Sequence, residues 1–240
     1  MKIRKLSLNA VALRCLALVA MVLDHLWATV VPGNLWMTVA GRLAFPIFAF
    51  QAVEGYTHTS NFSKYIRRLL LFGLISEIPF NLIISGSWFY PFHQNVMFTL
   101  ALGLPALRGL DRAVQAKAGA DCALGILSTL FWCVLGTITV VDYGGYGVMT
   151  VLLFGLCRHL PYRKLFQLVG LAGIHVFLME GMMIPLLGTE FPLQGFALLA
   201  LVPIWLYNGE KGPRTKWVQW GSYLFYPLHM LILYGIAYFL

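Results

Sequence analysis

Charge is scarce in this chain. Only 9 acidic and 17 basic residues occur among 240, so charged residues make up 11%, against about 25% in an average soluble domain. So few cannot cover the exterior of a soluble globule. The four cysteines, Cys15, Cys122, Cys133 and Cys157, lie inside apolar stretches without C-x-x-C spacing. This argues against a disulfide framework or a zinc site. No histidine pair stands at i, i+4, and no metal is expected. There is no G-x-S-x-G nucleophile elbow, no repeat of fixed period and no low-complexity linker. Intrinsic disorder requires low hydrophobicity, whereas this chain is 60% hydrophobic and 15% aromatic.

A bilayer-crossing helix needs about 20 apolar residues. Such stretches occur at residues 8–30, 35–56, 67–84, 95–110, 122–140, 145–157, 164–184, 194–207 and 217–239. The expected fold is an all-α polytopic membrane bundle of about nine transmembrane helices, forming one domain over residues 1–240. The sixth and eighth stretches are short, which leaves eight spans as the alternative. The first stretch is full length and reads as a retained helix, not a removed signal peptide.

Fifteen of the basic residues fall in five clusters: Lys2, Arg4 and Lys5; Lys64, Arg67 and Arg68; Arg108, Arg112 and Lys117; Arg158, Arg163 and Lys164; Lys211, Arg214 and Lys216. With nine spans, all five stand on one side. The positive-inside rule then puts the N terminus in the cytoplasm and the C terminus outside. The net charge of +8 is thereby assigned to topology and contact with an anionic lipid bilayer, with no nucleic-acid partner.

Topology leaves Arg14 and Arg42 unexplained. They lie within the apolar stretches together with Asp24, Glu54, Glu77, Glu180, His25, His175 and His229. Each charge within a span costs about 2.5–3.5 kcal/mol on insertion scales, and such groups persist where they pair or line a polar cavity. Arg14 and His25 are separated by eleven positions. That spacing is about 16 Å of rise and close to a whole number of turns, so they share a face. Asp24 points about 100° away from His25; it either orients the imidazole from another angle or pairs with Arg42. His175 and His229 are expected near the level of His25. Pro46 is expected to break the second helix, and Pro227 to bend the last one beside His229. Glu54 lies near Lys64, Arg67 and Arg68, where a salt bridge would dock the loop. Asp142 is either a helix cap or a lip of the site. Phe45, Phe48 and Phe50 form an aromatic stripe that packs in the core or lines an apolar slot.

Arginine clamps phosphate, and histidine serves as a general base near neutral pH. Arginines at one mouth and histidines in the opposite half suit a phosphate-bearing acyl donor inside and a nucleophilic acceptor outside. Acyl-CoA is such a donor.

Several segments together resemble the TraX family, associated with acetylation of the F-pilin N terminus. They are Ala20-Met21-Val22-Leu23-Asp24-His25, Gly41-Arg42-Leu43-Ala44-Phe45-Pro46, Val53-Glu54-Gly55-Tyr56-Thr57-His58, Ile75-Ser76-Glu77-Ile78-Pro79-Phe80-Asn81, Asp142-Tyr143-Gly144, Leu206-Tyr207-Asn208-Gly209 and Phe225-Tyr226-Pro227-Leu228-His229. The chain is also distantly similar to membrane acyltransferases that carry an Arg, ten residues and a His in their first helix, as at Arg14 and His25. That superfamily usually has Ser-Gly where this chain has Val53-Glu54-Gly55. The resemblance implies acetyl transfer from acetyl-CoA to an envelope acceptor, pilin or a glycan or lipid, in the bacterial cytoplasmic membrane. On this reading His25 and Asp24 are catalytic. Arg14, Arg42, Glu54, Arg67 and Arg68 bind the donor, and Glu77, Asp142, Tyr143 and His229 meet the acceptor. The rival readings are a proton-coupled transporter or flippase, since buried Asp, Glu and His also make proton relays, and a non-enzymatic pilus or envelope assembly scaffold.

Overall fold

The structure, a computed structural model, describes residues 7–186, 188–213 and 216–239. The basic residues Lys2, Arg4, Lys5 and Arg214 and the side chain of Lys216 lie outside the described residues. The chain runs through α1 (Ala10–Thr29), α2 (Leu35–Gly41), α3 (Ala44–His58), α4 (Phe62–Ser85), α5 (Val96–Ala116), α6 (Gly119–Ile138), α7 (Gly144–Cys157) and α8 (Arg163–Ala172). A π-helical turn (Gly173–Leu178) extends α8. An antiparallel hairpin, β1 (Met183–Leu186) and β2 (Thr189–Pro192), follows. A 3-10 helix (Leu193–Ala200) then leads into α9 (Leu201–Trp205), and α10 (Lys216–Phe239) closes the chain.

Local chemistry sets the helix starts and stops. The side chains of Asn9, Asn61 and Asn95 accept hydrogen bonds from the first-turn amides of Ala12 (2.9 Å), Lys64 (2.8 Å) and Met97 (3.1 Å). They satisfy donors that a helix start leaves open. Gly86, with φ +69°, ends α4 in the left-handed conformation that favours glycine.

Among the described residues, five segments are long and apolar enough to cross a membrane: α1, α2 with α3 taken together, α4, α6 and the Trp220–Phe239 part of α10. The chain is an all-α membrane protein. α7 and the Leu193–Trp205 segment are apolar but shorter. The connections α3–α4, α5–α6 and α7–α8, with the helix turns flanking them, carry three of the basic clusters and form one end of the bundle, here the basic end. Leu8 pairs with Tyr207 there, tying the start of α1 to the end of α9.

Two expectations need correction. The second helix breaks at Arg42 and Leu43, before Pro46. Pro46 is the third residue of α3, where the missing amide hydrogen has no intrahelical partner to lose. The seventh stretch stays helical only to Leu178. Beyond it, Pro185 and the left-handed Gly188 (φ +82°) favour the hairpin, so Glu180 lies in a connection and not in a span.

The core centres on α5 and α7, with Leu104, Leu107, Val148 and Val151 fully buried. α5 meets α6 backbone to backbone. A Cβ added at Gly125 would stand 2.6 Å from both the Gly109 carbonyl oxygen and the Ala113 amide nitrogen. Small residues allow such approach between membrane helices, while Leu127, Phe131 and Val134 leave the far side of α6 apolar and exposed. Gly125→Leu should push these helices apart and cost about 1–3 kcal/mol, read as a lower melting midpoint in detergent. An unchanged midpoint would contradict this packing.

Candidate functional site

His25 on α1 and His229 on α10 meet away from the basic end. His25 Nδ1 lies 2.8 Å from His229 Nε2, and the rings are parallel within 3°. His229 Nδ1 lies 2.9 Å from the Phe225 carbonyl oxygen, which can only accept. Nδ1 of His229 therefore carries the hydrogen. In the neutral ring its Nε2 is bare and accepts from His25 Nδ1–H. This leaves the lone pair of His25 on Nε2, for which no hydrogen-bond partner is found among the described residues. The tautomers follow from this network.

Asp24 does not orient His25. It pairs with Arg42 and accepts a hydrogen bond from Thr38 Oγ1 at 2.7 Å. Arg42 Nε also donates to the Thr38 carbonyl at 3.3 Å. Gly41 makes room, because a Cβ there would come within 2.4 Å of Asp24 Cβ. The ion pair thus fastens α1 to the interruption between α2 and α3. At that interruption the amides of Ala44 and Phe45 have no acceptor among the described residues. Both residues line a cavity of about 50 Å³ together with His25, Asp24, Met21, Phe48, Asp142, Tyr143 and Tyr226.

Tyr143 reaches this cavity from the α6–α7 turn in a left-handed conformation (φ 65°), stacked on Phe45 with centroids 3.9 Å apart. Asp142 beside it faces His93 Nε2 at 3.4 Å, and its backbone is held by Gln94 (2.7 Å) and by Thr99. His93 lies in the α4–α5 loop, and its pKa is raised, chiefly by the hydrogen bond to Asp142. Glu77 stands behind this rim, outside the cavity lining. Its Oε2 accepts from Asn95 Nδ2 at 2.5 Å, while Oε1 is buried without a partner among the described residues. His175 is fully buried against Thr150 Oγ1 (3.2 Å) and does not line the cavity.

Nearer the basic end, Arg14, Gln51, Gly55, His58, Thr59, Tyr65, Arg68 and Tyr223 line a second cavity of about 260 Å³. Arg68 donates from Nε to Tyr223 Oη at 3.1 Å, and its guanidinium lies over the Tyr65 and Tyr223 rings. Of the five residues expected to bind the donor, only Arg14 and Arg68 meet here. Arg42 is taken by Asp24. Arg67 is exposed, its Nε on the Ser63 carbonyl of its own helix. Glu54 lies beside Tyr207, outside this lining, and forms no ion pair with Lys64, Arg67 or Arg68 among the described residues. Thr38, Gln51, Tyr65, Tyr223, Tyr226 and Asn95 were not singled out from the sequence. Tyr226 stands three residues before His229, and that spacing was the one available hint. A separate cluster joins Asp111 to Arg158 (2.5 Å) and Tyr56 (2.9 Å) at the basic end.

The sequence profile described as TraX protein matches residues 9–237. The chain belongs to the TraX family. It is 31% identical to the "Probable fimbrial assembly protein FimC, serogroup H1" of Dichelobacter nodosus, with 99% of each chain covered. It is 29% identical to "Protein TraX" of Escherichia coli over 57% of this chain and 51% of that one. An uncharacterized protein of Rickettsia prowazekii is 24% identical over 61% of this chain and 55% of its own. No solved structure matches.

Two predictions follow from this geometry. Asp24→Asn leaves Arg42 without its counter-charge inside the bundle and should cost about 3 kcal/mol, whereas Asp24→Leu with Arg42→Met should recover much of that loss. Melting of the three proteins in detergent reads this; equal midpoints would contradict it. The His93–Asp142 pair has the opposite pH behaviour to a paired carboxylate. Because the folded pKa of His93 is raised, its contribution is full below the ordinary value of about 6.5 and fades as pH rises through the folded value. The melting difference between the TraX-family chain and its His93→Gln variant should shrink between about pH 5.5 and about pH 8.5.

Proposed function

We propose that this protein is a membrane-embedded acyltransferase that moves an acetyl or other acyl group from acyl-CoA on the cytoplasmic side to an amine or hydroxyl on the outer side. The observation that carries the reading is His25. Its Nε2 lone pair is set by His229, and it lines a small cavity together with Ala44 and Phe45, the first two residues of α3. A cavity containing Arg14 and Arg68 lies nearer the basic end. With nine passes and the basic end in the cytoplasm, the arginine cavity faces the cytosol and the histidine pair lies in the outer half of the bacterial inner membrane.

In this mechanism Arg14 and Arg68 hold donor phosphate. The acceptor N–H or O–H gives its proton to His25 Nε2 as the acceptor attacks the thioester carbonyl carbon. The Ala44 and Phe45 amides face the oxygen that gains negative charge. The C–S bond then breaks, and His25 returns the proton to the departing thiolate. His229 acts through His25: accepting from Nδ1–H keeps the basic nitrogen on Nε2, and it stabilises the imidazolium. Asp24 serves by anchoring Arg42 and the start of α3. Asp142 and Tyr143 line the acceptor side, with Glu77 behind Asn95. The name of the Dichelobacter relative, a fimbrial assembly protein, favours a pilus or envelope acceptor. A transporter or an assembly scaffold is the rival reading; a scaffold leaves the basic nitrogen of His25 unused, and a transporter would use it in a proton relay but has no need of the Arg14 and Arg68 cavity that suits donor phosphate.

Membranes retaining envelope components and supplied with acetyl-labelled acetyl-CoA test the proposal. Label should reach an acceptor in the wild type and fall about 10²–10⁴-fold in His25→Ala. His229→Ala should lose at least about tenfold, with part regained in His229→Gln, whose amide oxygen can accept from His25. Equal labelling by folded wild type and His25→Ala would sink the proposal.

A further inference from the structure

The two cavities lie on one seam. On α1, Arg14, Ala17, Met21 and His25 recur at steps of three and four and share a face. On α3, which returns beside α1, Gly55, Gln51, Phe48 and Ala44 do the same. Arg14, Gln51 and Gly55 line the cavity nearer the basic end, and Met21, His25, Ala44 and Phe48 line the other. Ala17, between them, is fully buried. From Gln51 to Phe48 the partition is three residues, just under one helical turn and about 4.5 Å of rise.

A ligand with its anionic group on Arg14 and Arg68 and its reacting carbonyl at His25 must therefore thread a slender arm past this layer. Arg14 and His25 are separated by about 16 Å along α1. Phe48 is the side chain suited to yield. Phe45 stacks on Tyr143, and Phe50 packs edge-on against Phe154 and Tyr207. Phe48 is half-buried and has no ring partner among the described residues.

We propose that Phe48 is a movable partition in one channel along the α1–α3 seam, passed by the linear thioester arm of a phosphate-bearing donor and closed to water between turnovers. The donor chemistry rests on the acyl-transfer reading; the partition does not. A water-excluded site suppresses hydrolysis of reactive groups. With the partition removed, water adds its oxygen to the thioester carbonyl carbon, the C–S bond breaks, and the thiolate takes the proton, leaving free acid and thiol.

The test uses the full chain in lipid nanodiscs. Phe48→Ala should raise acceptor-free thiol release from acetyl-CoA at least about tenfold over wild type. Ala17→Phe should lower transfer by a similar factor while acetyl-CoA binding stays unchanged. A second readout needs no catalysis. With Cys15, Cys122, Cys133 and Cys157 replaced by Ser and Ala17 by Cys, a small water-soluble thiol reagent should react slowly beside Phe48 and at least about tenfold faster beside Phe48→Ala. An unchanged labelling rate overturns the partition, whatever the enzymatic result. Faster labelling with no acyl-CoA turnover by any variant supports the partition and defeats the acyl-transfer reading.

Discussion

A full charge inside an apolar helical bundle must find its counter-charge within the bundle, and Asp24 and Arg42 do this for one another. Their pairing decides much else. It holds α1 against the point where α2 gives way to α3, and Gly41 supplies the space for that contact. It keeps the first turn of α3, with its open amides, beside the cavity at His25. It also occupies Asp24, so the imidazole next to it in sequence must be oriented from elsewhere. His229 on the last helix does so, and the first and last helices of the chain build the centre together.

Much of the fold was legible in the sequence, because long apolar runs and asparagine caps are local signals. Each of the nine stretches coincides wholly or partly with helix. The failures were also physical. Pro46 looks like a breaker, yet a proline in a first turn loses no hydrogen bond, and the chain breaks just before it. The apolar run after Leu178 reads as more helix, but its Pro and Gly content turns it into a hairpin. Helical depth placed His25 and His229 at one level. Depth alone could not give their contact, which depends on how α1 and α10 lie against each other. The donor residues were the least legible. Arg67 and Arg68 are adjacent in sequence but point in different directions, and only the packed position of Tyr223 shows which one turns inward.

The resulting molecule is polar along its length. Arginines and tyrosines gather in a cavity toward the basic end, and a histidine pair with a carboxylate-bearing rim gathers toward the other, joined by one seam between α1 and α3. The proposed acyl transfer between the two sides of a bilayer calls for that separation. The same layout explains why the acidic groups near the centre are nearly all engaged: Asp24 by Arg42, Asp142 by His93 and Glu77 by Asn95.

The most direct test of the central claim is sidedness. The protein would be reconstituted in one orientation in sealed vesicles, with labelled acetyl-CoA confined to the side of the basic end and envelope extract on the other. Label is expected on an acceptor across the membrane, abolished by His25→Ala. Label appearing only on the donor side, or crossing equally well in His25→Ala, would contradict it.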